Sequence, residues 1–308
     1  MSNSPNLPVP DTLSRRHSRA IDHAVLPVES LETARRRLTV LGFTVAPDAI
    51  HPFGTENCCI YLPDGTYLEP LAVAQRETCE AEARMGNVFV ARDQAFRFRN
   101  GANGFSALAF GTRDAGADEK AFVAAGISGG KNLTFSRSYI DAKGGAGTAR
   151  FALAFACDLR SPDCFFFTCQ RLGDMPARSQ AATIQANGVV RLSAVVASEP
   201  NPSDFQYLLQ GVIGDRETRA HSFGIDIEAA GAEIMVLNRD GMRIWFGTEI
   251  DPATRGLRLS ALVFAVRSME RLKALLAENS VATREQAGRL IVDPAPGQGA
   301  LFAFEETQ

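Results

Sequence analysis

The sequence predicts an α+β fold built from four strand–helix–three-strand (βαβββ) modules, paired into two half-open barrels. Three observations predict it. A strand-like apolar run recurs four times, a helix candidate follows each copy, and two or three further short apolar runs follow each helix. The recurring runs are "IDHAVLPVE" (21–29), "GFSALAFGT" (104–112), "RLSAVVASE" (191–199) and "RLSALVFAV" (258–266).

In the first module the helix is predicted over "SLETARRRLTVLG" (30–42). Ser30 can cap its amides, and Glu32 places a carboxylate in the first turn, where the helix dipole favours it. The strands are predicted at "GFTV" (42–45), "CCIYL" (58–62) and "TYLEPLAV" (66–73), with "HPFGTEN" (51–57) as the loop between the second and third strands of the module. The second module has a short helix, "DEKAFVAAG" (118–126), with Asp118 as cap, then "RFALAFAC" (150–157) and "CFFFTCQ" (164–170). Its Gly-rich "GISGGKNL" (126–133) lacks the G-K-[ST] of a phosphate loop and reads as an ordinary loop.

The third helix, 201–212, has Asn201 as cap, Pro202 at the first helical position and Asp204 in the first turn. Strands follow at "SFGIDIE" (222–228) and "AEIMVLN" (232–238). The fourth helix, 268–279, repeats the Ser cap and early Glu with Ser268 and Glu270, ahead of "RLIVDP" (289–294) and "ALFAFEE" (300–306).

One such module leaves a sheet face open, so modules must pair around a cavity. That predicts two domains, 19–175 and 188–308, joined by the polar stretch 172–187 with its Pro176. Residues 1–18 are Pro/Ser-rich without an apolar core and read as a disordered tail.

Composition narrows the function. A chain of 308 residues, 45% hydrophobic and 22% charged, can bury two cores. A net charge of −3 and no basic block beyond Arg35–Arg37 argue against nucleic acid and anionic membranes. No apolar run reaches the 18 residues a membrane span needs. The six Cys contain no C-x-x-C pair, which disfavours structural zinc and a disulfide framework and suits reduced thiols in a cytoplasm.

The stretches "DHAVLPVESLETARRRLTVLGF", "HPFGTEN" and "GTYLEPL", set in repeated βαβββ modules, resemble the vicinal oxygen chelate superfamily, and within it the glyoxalase-like domain proteins. The resemblance is strongest over 21–73 and is one of pattern elsewhere. It implies a cup that often holds a divalent metal, whose open positions bind vicinal oxygens of a small substrate. It also implies ligands from the first and last strands of a module, positions occupied here by His23 and Glu69. Imidazole and carboxylate donors suit Zn, Ni, Mn or Fe. Alone, a His satisfied inside a sheet and a charge at a strand edge are the plainer readings of each.

At the third position of the other repeats stand Ser106, Ser193 and Ser260, and at the position matching Glu69 stand Met235 and Ala303, so the second domain is expected to be metal-free. Gln170 is the candidate third ligand, with Cys169 on the opposite face. His51, Thr55 and Asn57 are candidates for substrate contact at the cup's mouth. Tyr67 and Phe167, with Phe105, Phe165 and Phe166, either line an apolar pocket or fill plain core. In "QANG" (185–188), Gln185 stands where relatives often carry His.

The expected activity is a metal-dependent lyase or isomerase reaction of the glyoxalase-like class on a small oxygenated molecule. Glu69 would be the general base if no metal binds, its proton affinity raised in a water-poor cup. The alternative is a protein that binds and sequesters a small molecule without turnover. A ring-cleaving dioxygenase is a lesser alternative, because it needs a second inward His and neither His17, His51 nor His221 lies on a first strand. Homodimerisation is compatible with the sequence.

Overall fold

The computed structural model describes residues 18–140, 145–173, 180–251 and 253–307. The tail reading, save for Ser18, and residues 174–179 of the linker reading lie outside the described residues.

The first module runs β1 (Ile21–Pro27), α1 (Leu31–Val40), β2 (Ala49–Ile50), β3 (Thr55–Asn57), β4 (Ile60–Tyr61) and β5 (Tyr67–Val73). A helical insertion follows, α2 (Arg76–Arg84) and α3 (Val88–Asn100), which the repeat did not announce. The second module is β6 (Ala107–Gly111), α4 (Ala115–Ala124), β7 (Leu133–Ile140), β8 (Ala146–Ala156) and β9 (Phe165–Leu172). After the short α5 (Gln180–Thr183), the third module is β10 (Val189–Ser198), a 3₁₀ turn (Pro202–Phe205) running into α6 (Gln206–Ile213), β11 (Arg219–His221), β12 (Gly224–Ala229) and β13 (Ala232–Leu237). Helix α7 (Arg239–Phe246) precedes the fourth: β14 (Arg258–Val266), α8 (Met269–Glu278), β15 (Arg284–Gln286), β16 (Arg289–Val292) and β17 (Leu301–Glu306).

The modules pair as expected. One sheet has the order β2-β3-β5-β1-β6-β9-β8-β7, with β4 also on β5; the other has β11-β12-β13-β10-β14-β17-β16-β15. In each, the two first strands meet antiparallel at the centre (β1 on β6, β10 on β14), and each first strand lies parallel to the last strand of its own module.

The caps explain three helix starts. Ser30 and Ser268 accept from the amides of Thr33 and Arg271, as their sequence positions predict. The second helix begins three residues earlier than expected, because Asp114 and not Asp118 caps it, accepting from Ala117. "GFTV" is not a strand; it leaves α1 through a turn in which Gly42 takes a left-handed φ of 80° against Asn187. The "HPFGTEN" stretch is only partly loop, since its last three residues form β3 and pair with β5.

Strand alternation sorts the core into three. Ile21, Ala24 and Leu26 of β1 face a large cluster that also takes buried residues of α1, α4, α6, α8 and the second sheet. Phe43 meets Phe264 and Phe302 edge-on there, at 5.6 and 5.9 Å. The opposite sheet faces form two separate clusters, one per sheet, which are the cup linings. Helices α1, α4, α6 and α8 therefore lie against a core common to both sheets, whereas α2, α3 and α7 pack on the cup side. Phe264→Ala, which empties a site at the middle of that core, is expected to lower unfolding free energy by about 3–5 kcal/mol in urea titration. A cost under about 1 kcal/mol would show that the two sheets do not share a close-packed core.

Candidate functional site

Polar side chains gather in the first cup. Its lining comes from β1 (His23), the β2–β3 connection (His51, Phe53), β5 (Tyr67, Glu69) and β9 (Phe167, Cys169). The insertion adds Phe89 over the mouth, and β7 and β8 supply Phe135, Arg137, Phe151 and Leu153. The space encloses about 380 Å³, part of it open to solvent.

A bulge decides which residues of β1 point in. Ile21 pairs with Phe110 and His23 with Ala109, so two steps on β1 oppose one on β6 and Asp22 is the extra residue. Strict alternation would turn Asp22 away from His23. Instead the Asp22 carboxylate holds His23 Nδ1 at 2.7 Å, and its other oxygen takes Arg171 at 2.7 Å.

The same device corrects the alignment of the repeats. In β10 the extra residue is Ser193, and in β14 it is Ser260. Ser193 and Ser260 therefore match Asp22. Ser106 holds the same place one residue before Ala107, whose side chain is in the cup. The counterparts of His23 are Ala107, Ala194 and Ala261, all lining cups. Their methyl groups offer no ligand. By parallel pairing the counterparts of Glu69 are Phe167, Met235 and Ala303. Among these matched positions, only those of the first module carry donors.

Three side chains converge. His23 Nε2 lies 3.2 Å from Glu69 Oε2, and His51 Nε2 lies 3.6 Å from Glu69 Oε1. Each is no more than 5% exposed. His51 Nδ1 is tied to Thr55 Oγ1 at 2.9 Å, so both imidazoles are held from behind and turn Nε2 toward the carboxylate. The Asn57 amide donates to Glu69 Oε1 at 2.5 Å, and its carbonyl accepts from Arg137 at 3.3 Å. Tyr67 stacks on His23 at 4.4 Å and Phe167 meets its edge at 5.4 Å; Phe53 stacks on His51 at 4.9 Å.

The charges follow from these contacts. Burial pushes the Glu69 carboxyl up, but the hydrogen bond and charge of His23, the charge of His51 and the Asn57 amide outweigh it and hold it at about 2. Burial likewise opposes ionisation of Asp22, and His23 with Arg171 holds it at about 2. Burial would lower His23, yet its hydrogen bonds to Asp22 and Glu69 raise it above 6.5. His51 has no such pair of partners; burial carries it down to about 4, so it is neutral at pH 7.

Several sequence expectations change here. Gln170 is not in the cup: its amide caps α4, accepting from the Ala115 amide at 3.0 Å and donating to the Arg113 carbonyl at 2.7 Å. Cys169 is the inward residue of that pair. Thr55 is fully buried behind His51 and orients it without meeting the cavity, and Asn57 acts on Glu69 and Arg137. Glu69 is ionised and weakly basic, contrary to the raised proton affinity expected of it. The second inward His is present after all, and it is His51, brought in by the short β2–β3 connection. Tyr67 and Phe167 do line the cavity. Gln185 stitches the linker to the first module, accepting from the Thr44 amide and donating to the Tyr61 carbonyl.

Sequence reasoning missed Asp22, Arg137 and Arg171. For Arg137 a signal existed. "LTFSRSYI" alternates strictly, with Leu133, Phe135, Arg137 and Tyr139 on the half-buried face and Thr134, Ser136 and Ser138 exposed.

As placed, no group of three His, Cys, Asp or Glu among the described residues stands ready to hold a metal ion. The donor set is nevertheless the right chemistry for one. Two imidazole Nε2 atoms face one carboxylate, and hydrogen-bond partners on both Nδ1 atoms are what oriented metal-binding imidazoles require.

A family model described as a glyoxalase-like domain matches residues 21–213, more than half of the chain. No curated protein matches it in sequence. Among solved structures, a hypothetical protein from Staphylococcus aureus superposes with a TM-score of 0.64 at 12% identity, covering 94% of this chain and 99% of its own. A variant of 4-hydroxymandelate synthase from Streptomyces coelicolor gives 0.61 at 15% identity, over 94% and 93%. The Mn(II)-bound glyoxalase from Novosphingobium aromaticivorans gives 0.50 at 12%, over 94% and 82%. At such identities the likeness is one of fold.

Proposed function

The chain belongs to the glyoxalase-like domain family, and from that premise we propose that it is a metal-dependent lyase or isomerase acting on a small oxygenated molecule in the first cup. The observation that carries this reading is the convergence of His23 and His51 on Glu69, each imidazole braced from behind. His23, His51 and Glu69 would hold the metal, with His51 replacing Gln170 as the third donor. When bound, a divalent cation supplies Lewis acidity toward a substrate carbonyl or enolate oxygen.

The chain's own residues do the rest. Asp22 and Thr55 fix the ring orientations, and Asn57 keeps one Glu69 oxygen directed toward His51. Phe53, Phe89, Phe135 and Phe167 exclude water and bind the apolar part of the substrate. The second cup has Ala and Met at the matching positions and would serve as a structural partner.

Metal analysis after reconstitution tests this. About one equivalent of Mn, Ni, Zn or Fe per chain is expected, lost in His51→Ala and retained in Gln170→Ala. Substoichiometric metal in the unaltered protein would leave a passive small-molecule binder as the better reading, and loss in Gln170→Ala but not in His51→Ala would return the third donor to Gln170.

A second reading gains from one observation. Two His and one carboxylate are the donor set of ring-cleaving and other non-haem iron oxygenases, and the argument against it, a missing second inward His, does not hold. Oxygen uptake by the iron-loaded protein with a catecholic substrate would favour that reading; turnover of a substrate without oxygen uptake would favour the first.

A further inference from the structure

We propose that the first cup selects a carboxylate with an aromatic body, and that Arg137 is the residue that binds its carboxylate. This rests on the reading of the cup as the substrate site and names its substrate class.

The charge balance of the cup is the first argument. Asp22 is matched by His23 and Arg171, and Glu69 faces His23 at 3.2 Å. Arg137 is left over. Among the described residues no carboxylate comes within 4.0 Å of its guanidinium, and the hydrogen bond it makes to the Asn57 carbonyl, at 3.3 Å, is to a neutral group. A guanidinium that lines the cup with no carboxylate in direct contact is open to an anionic ligand.

Shape and surroundings fix what carries that charge. The guanidinium projects from β7 among rings, 5.7 Å over the face of Phe151, with Phe135 two residues back on the same strand face. Phe53, Phe89 and Phe167 form the other walls. A planar guanidinium fork matches a carboxylate, and flat aromatic walls match an aromatic body. The Asn57 amide links the guanidinium to Glu69, so a carboxylate seated on Arg137 places its neighbouring atoms beside the His23–His51–Glu69 cluster.

The test is a calorimetric titration of the full chain with benzoate, phenylacetate and 3-phenylpropanoate, each against its primary amide, which keeps the shape and removes the charge. At least one acid is expected to bind about tenfold or more tightly than its amide. Arg137→Met and Arg137→Gln should bring the ratio to within about twofold while leaving the amide's affinity unchanged, and Arg137→Lys should restore part of it. Absence of saturable binding by all three acids, or an acid preference that survives in both Arg137→Met and Arg137→Gln, overturns the proposal. Metal content measured on the same samples separates the two readings. In the unaltered protein, bound metal without an acid preference removes only the Arg137 assignment, and an acid preference without metal removes only the metalloenzyme.

Discussion

Glu69→Ala is expected to abolish metal binding and turnover and to cost about 3–5 kcal/mol of stability, the usual penalty for leaving a buried charge without its partner. Glu69 meets His23 and His51 and accepts from Asn57, all within a buried cup. Removing it leaves the His23 imidazolium with Asp22 as its remaining carboxylate and leaves the Asn57 amide nitrogen with only its 3.3 Å contact to His51 Nε2. Glu69→Gln keeps the volume and some hydrogen bonding, so it should lose function as fully but stability less. Urea titration of the metal-free proteins and metal analysis of the reconstituted ones check both parts. A Glu69→Ala protein that keeps its metal, or loses less than about 1 kcal/mol, would show that this carboxylate is not the centre of the cluster.

The second large effect is an acid limb in the stability of the metal-free protein. Asp22 falls from its ordinary 3.8 to about 2, and Glu69 from 4.5 to about 2. A carboxyl held down in the folded state stabilises it above its unfolded value, and that contribution disappears as pH drops toward the folded value. The loss therefore runs between about pH 4.5 and pH 2 and amounts to about 2–3 kcal/mol for each carboxyl. The two are less than additive, because both draw on His23. His23 works in the opposite direction: its folded value is raised, so its contribution is complete below 6.5 and fades as pH rises through the folded value. Urea midpoints measured from pH 7 to pH 2 should fall along this limb, and Asp22→Asn should flatten it. An unchanged slope in Asp22→Asn would mean that the acid sensitivity lies elsewhere.

The sequence carried the fold because βαβββ repetition is a local signal. Apolar runs alternate with period two, Ser30 and Ser268 cap at helix starts, and an open sheet face can be covered only by pairing modules. His23 and Glu69 were legible through the resemblance, as the first- and last-strand positions of the module, and Tyr67 and Phe167 as aromatic residues of strands that line a cup or fill its core. The third donor was not. Gln170 and Cys169 are neighbours on β9, and nothing local distinguishes the one that faces the cup from the one that caps α4. Arg137 was missed because β7 was not read as a strand, although its alternation is strict.

Asp22 marks the boundary between what sequence and structure each decide. A bulge is a mismatch between two strands, so it does not exist until β1 lies against β6. Reading β1 alone aligns His23 with Ser106, Ser193 and Ser260; pairing the strands shifts the match by one and aligns it with Ala107, Ala194 and Ala261. The sequence by itself determined the modules and their pairing, because these follow from periodicity along the chain, and two polar residues of the cup through the resemblance of the first module. Only the tertiary structure decided that Asp22 and His51 turn onto that pair, because their positions depend on strand register and loop closure.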